Sequence, residues 1–112
     1  MKVVPRSSPF GSATRTRVLV AIRLLGETYA RELARLLDAP LSGVQGALQA
    51  LERDGLVAGR SMGRTRVYRL DPRYFAQREL DRFLERLAEP EADLQSRVTS
   101  LRRRPRRTGK PL

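Results

Sequence analysis

The chain contains no histidine, no cysteine and no tryptophan. Without cysteine there is no disulfide. Without thiol or imidazole there is no thiolate or histidine metal site, no Cys or His nucleophile and no Ser-His-Asp arrangement. An all-carboxylate metal site stays open, although a chain this basic is a poor place to gather the negative charge it needs. No metal or other cofactor is expected. Lysine is nearly absent as well, at Lys2 and Lys110 only. Long apolar runs are missing. The longest near the N-terminus is Val18 to Ile22, which Arg23 ends, against the about 20 apolar residues of a membrane-spanning helix. The opening MKVVPRSSPFGS has no signal-peptide core and is interrupted by Pro5 and Pro9. The expectation is a soluble, cytoplasmic protein with no membrane partner.

What the chain does have is arginine. Its 112 residues carry 23 Lys plus Arg against 12 Asp plus Glu, a net charge of +11. A balance this positive points to a polyanionic partner, nucleic acid before an acidic membrane surface. The charge is unevenly placed. From Arg97 to Leu112 there are seven basic residues and no acid, which leaves +4 for residues 1–96. A second cluster, Arg60, Arg64, Arg66 and Arg69, lies in an acid-free stretch between Asp54 and Asp71. One basic feature thus falls inside the expected folded part and one in a tail.

The apolar spacing predicts the elements. Residues 1–11, with two Pro, two Ser and a Gly, read as a flexible arm. Ser12 can cap a helix over 13–25, with Val18, Ala21, Ile22 and Leu25 at helical spacing and Gly26 at the left-handed end. A second helix spans 30–38, with Leu33, Ala34 and Leu37 inward and Arg31, Glu32, Arg35 and Asp38 toward water. Pro40 stops it. Ser42 is expected to open a third helix to about Asp54 through a capping box with Gln45. Its buried stripe is Val44, Ala47, Leu48 and Leu51. Two strands, 56–61 and 65–70, flank a turn at Met62-Gly63-Arg64, with Tyr68 and Leu70 toward the core. Asp71-Pro72 reads as the start of a further helix, whose stripe is Ala76, Leu80, Phe83, Leu84 and Leu87. A weaker helix covers 91–103, and disorder is expected beyond it. The expected domain is 12–89, with 90–112 as weak helix and basic tail.

Helix, short helix, tight turn, helix, hairpin, helix is the order of a helix-turn-helix followed by a wing. The expected class is mainly α (α+β), with a three-helix core, a β-hairpin wing and a C-terminal amphipathic helix. On RELARLLDAPLSGVQGALQALERDGLV, GRTRVYRL and DPRYFAQREL, residues 13–88 resemble a bacterial winged helix-turn-helix domain of the arsenic-repressor (ArsR) type. They are also similar to the winged-helix segment that precedes some nucleotidyltransferase domains. Metal-sensing members of the first family use Cys and His ligands, which this chain lacks. The resemblance implies a stand-alone, dimeric DNA-binding regulator without a recognisable sensor domain.

The third helix is then the expected base reader, through Ser42, Gly43, Gln45, Gly46 and Gln49. Glutamine can contact an adenine edge with two hydrogen bonds, and glycine lets backbone approach closely. No Arg or Lys lies between Ser42 and Glu52, so shape readout and the wing would have to contribute. The plainer reading is the polar face of a core helix. Backbone contacts are expected from Arg60, Arg64 and Arg66 of the wing, and from Arg15, Tyr29 and Arg31. The plainer reading of the wing arginines is a solvated hairpin protected at its edge. Leu80, Phe83, Leu84 and Leu87 either pack on the domain's own core or pair two copies into a homodimer. Arg102, Arg103, Arg104, Arg106 and Arg107 would add non-specific nucleic-acid affinity. No aromatic interleaves with them, so stacking on single strands is not supported.

The leading expectation is a double-stranded DNA-binding transcriptional regulator. The alternatives are a protein-interaction module docking a separately encoded partner, or a non-specific nucleic-acid binder. An enzyme is not expected, because no motif brings two acids together in a pocket.

Overall fold

A computed structural model describes residues 9–103, the Arg103 side chain excepted. It is an α+β winged-helix fold. The elements are α1 (Ala13–Leu25), β1 (Glu27–Tyr29), α2 (Ala30–Leu37), α3 (Leu41–Arg53), β2 (Val57–Met62), β3 (Thr65–Leu70), α4 (Gln77–Ala88) and α5 (Ala92–Arg103). The strands form one antiparallel sheet in the order β1-β3-β2.

α1 is the centre of the molecule. Ser12 caps it, its Oγ accepting from the Arg15 N–H at 3.1 Å. Gly26 ends it with a φ of 88°. Between them Val18, Leu19, Ala21 and Ile22 have no exposed surface. Leu33, Val44, Leu48, Leu51 and Leu84 from α2, α3 and α4 are buried in the same cluster. Burial of this kind contributes about 1.5–3 kcal/mol per large side chain, before the cost in conformational entropy. At the α2 end Asp38 takes the left-handed conformation, φ 54°. α3 ends in a Schellman arrangement: the Leu56 N–H donates to the Leu51 carbonyl and the Gly55 N–H to that of Glu52.

Five expectations need correction. β1 belongs to a helix-free gap in the sequence reading, yet it pairs with β3 through Glu27↔Arg69, Thr28↔Tyr68 and Tyr29↔Val67. Glu32 was expected in water and is buried, accepting a hydrogen bond from Thr28 Oγ1 at 2.7 Å. Ser42 does not cap α3. Pro40 occupies that position with φ −62° and ψ 139° and no side-chain cap bond, and its carbonyl accepts from the Val44 N–H. Ser42 therefore falls in the first turn, and no capping box engages Gln45. Asp71-Pro72 does not start a helix. The Asp71 N–H is tied back to the Leu56 carbonyl, and its carboxylate takes the Arg73 N–H, so 71–76 run as turns and α4 begins at Gln77. Finally, Phe83 does not complete the α4 stripe. Leu80 and Leu84 are buried and Leu87 is half-buried, but Phe83 is 43% exposed and tilts against Phe10.

α5 packs on the domain rather than beside it. Leu94 and Val98 join the core. Arg97 Nη1 donates to the Leu36 carbonyl at 3.0 Å, and Arg102 donates to the Leu24 carbonyl. Arg17 Nη2 adds a bond to the Leu37 carbonyl at 2.8 Å. Three arginines thus satisfy carbonyls at the ends of α1 and α2, where helices leave acceptors without internal partners.

Candidate nucleic-acid interface

α2, the turn Asp38–Pro40 and α3 form the helix-turn-helix. α3 is amphipathic, with Val44, Ala47, Leu48, Ala50 and Leu51 buried. That burial turns Ser42, Gly43, Gln45, Gly46 and Gln49 outward, and all five are exposed. None of the three polar side chains has a hydrogen-bond partner among the described residues, so their donors and acceptors are open. The five residues expected from sequence do share one face.

The two glycines are informative. A Cβ built at Gly43 or Gly46 meets nothing within 4 Å. Neither position has a positive φ. Packing and backbone conformation would therefore both admit alanine. Glycine inside a helix costs about 0.5–1 kcal/mol relative to alanine. The domain does not benefit from these glycines; what they leave is a low strip on which another surface can approach the backbone closely.

Arg53 is a further residue of this outward face, not among those expected from sequence. It lies four residues after Gln49 on the same face, is exposed, and has no ion pair among the described residues. Its position one turn along the Gln45-Gln49 row is the signal that could have found it. Arg35 likewise follows Arg31 by four residues on α2, and both are exposed and unpaired among the described residues. Tyr29 is the half-buried residue preceding α2.

The wing turns at Gly63-Arg64, with Met62 opposite Thr65. Gly63 has φ 64°, as the first central residue of a II′ hairpin turn requires. Arg64 is exposed there and has no partner among the described residues. Its neighbours are engaged. Arg60 Nη2 donates to Glu27 Oε2 at 2.7 Å. Arg66 Nη2 donates to Glu52 Oε2 at 2.6 Å and to the Gly59 carbonyl at 3.3 Å, with its guanidinium carbon 5.8 Å from the centre of the Tyr68 ring. Hydrogen bonding to Glu52, then its charge, holds the Arg66 guanidinium above its already high ordinary range. Arg15 is folded back, its Nη1 directed to the Phe10 carbonyl at 3.4 Å.

Of the tail residues, Arg102 and Arg103 are in α5, and Arg102 is engaged with Leu24. Arg104, Arg106 and Arg107 lie outside the described residues. Among the described residues there is no group of three or more Asp, Glu, His or Cys that could hold a metal ion, and no helix is long and apolar enough to cross a membrane.

No family model and no curated protein matches the chain. Among solved structures it is similar to a possible transcriptional regulatory protein (fragment 1–100) from Mycobacterium bovis. The two share 25% identity over 72% of this chain and 89% of that one, with a TM-score of 0.46.

Proposed function

We propose that the protein is a transcriptional regulator that binds double-stranded DNA with sequence preference. One observation carries this reading. From Ser42 to Gln49 the outward face of α3 is uncharged, unpartnered among the described residues and thinned by two glycines that the domain does not need, and α3 is the second helix of the helix-turn-helix. A major groove about 12 Å wide admits such a helix. With no side chain at 43 and 46, α3 can lie deep in it. Gln45 and Gln49 then meet base edges, and Ser42 a base or a phosphate.

Phosphates are held by Arg64 at the wing tip and by Arg31 at the start of α2, while Arg53 extends the contact beyond Gln49. These contacts position the domain; the glutamines supply sequence information. Two copies bound about a two-fold axis would read half-sites about one helical turn apart. Leu80 and Leu84 face the chain's own core, so a two-fold contact would use the outer face of α4 with Phe83. The ArsR type, its regulator role and a cytoplasmic location belong to the same proposal.

The test is selection of bound duplexes from a random pool, followed by a salt titration on the winner. A symmetric enriched site is expected, with log affinity falling linearly in log salt by about 0.9 per phosphate neutralised. An unenriched pool, or binding that salt does not weaken, would overturn the reading.

A further inference from the structure

Arg66 was expected on a phosphate, but its surroundings are arranged around a different task. Its side chain lies back across β2 instead of standing away from the wing. A Cβ at Gly59 would come within 2.8 Å of Arg66 Nε and 3.0 Å of the Tyr68 ring. Glycine at 59 is thus what makes room for this path. Along it the guanidinium meets the Gly59 carbonyl, the Tyr68 ring and, at its end, the Glu52 carboxylate. Glu52 is in the last turn of α3 and Arg66 near the start of β3. The bond therefore joins the helix that presents Gln45 and Gln49 to the hairpin that presents Arg64.

From this we infer that Arg66 and Glu52 form a strut that sets the angle between α3 and the wing. They determine specificity by positioning both contact surfaces, without touching nucleic acid themselves. Base reading by α3 and phosphate binding at Arg64 reinforce each other only if both fit one duplex in one pose. A wing free to swing still finds phosphates on any duplex, but loses the reinforcement on the right one. The inference rests on the DNA-binding reading for its consequence, and on the Arg66 geometry alone for its structure.

Two measurements separate these. The first uses free protein. The absence of cysteine allows spin labels at Gln45→Cys and Arg64→Cys only, so that one distance reports the α3-to-wing geometry. Glu52→Gln and Arg66→Gln should each broaden the distance distribution, and the exchanged pair Glu52→Arg with Arg66→Glu should narrow it again. A distribution unchanged by either single substitution overturns the strut, whether or not the protein binds DNA.

The second measurement compares a selected duplex with a scrambled one. Each single substitution should weaken the selected duplex by up to about fivefold, the range of a partly exposed ion pair. The scrambled duplex and the salt slope should stay unchanged, and the exchanged pair should recover most of the loss. If Arg66→Gln instead weakens both duplexes alike and reduces the salt slope by about 0.9, while Glu52→Gln tightens both, Arg66 is a phosphate ligand with Glu52 as its internal competitor. If the unaltered protein binds no duplex, the DNA-binding reading fails, and the label distance still decides the strut.

Discussion

α3 and the wing hinge on the same Glu52–Arg66 bond, yet they solve opposite problems. The exposed row of α3 from Ser42 to Gln49 has no charge and two positions with no side chain at all. The hairpin has arginines at 60, 64, 66 and 69, but Glu27 and Glu52 answer two of them. Net charge is thus a poor measure of charge available to a partner. The row of α3 that looks inert has its polar side chains open among the described residues, while the hairpin that looks most reactive has half its charge compensated inside the chain.

That contrast can be broken first at Gly46. Gly46→Leu should lower affinity for a selected duplex by about two orders of magnitude, because a branched side chain fills the strip where the backbone has to approach. Circular dichroism should show the fold intact. A leucine variant that binds normally would show that α3 does not lie close to its partner. Next comes Gln49→Ala, expected to cost about 1–3 kcal/mol of discrimination at one base pair, read by competition among single-base variants of the site. A smaller and more uniform loss is expected for Arg64→Ala, with the salt slope lower by about 0.9 on every sequence. The comparison would collapse if Gln49→Ala and Arg64→Ala gave the same profile. The smallest effect is on stability. Gly46→Ala should raise the unfolding free energy by about 0.5–1 kcal/mol, measured by urea titration. Added stability together with weakened binding would mark the glycine as kept for contact.

Much of the fold was legible because its punctuation is local. Ser12 and Gly26 bracket α1, and the stripe Val44, Ala47, Leu48, Leu51 marks which side of α3 is wet, so its outward face follows from periodicity alone. β1 was not legible, since three residues carry no period and Thr28 is buried only because β3 lies beside it. Ser42 and Pro40 compete as caps two residues apart, and the proline wins because its carbonyl and fixed φ already serve the turn. Sequence shows Arg66 as a wing charge; that Glu52 meets it depends on where α3 stops relative to β3. Arg53 lies beyond Leu51, the last buried position of α3, so the stripe does not assign it to a face.

The arginines that close the helix ends have a consequence for how the chain folds during synthesis. The Leu24 and Leu36 carbonyls find their partners in Arg102 and Arg97, 78 and 61 residues later. At about 5–20 residues per second, those partners emerge on the order of 3–15 s after the helices they complete. Until then α1 and α2 can form and meet α3, but their last carbonyls face water and the Leu94–Val98 seam has nothing to fill it. Packing of α5 is therefore the step that closes these ends, and a released chain cut near residue 90 would hold α3 against α1 with two of its helix ends still open.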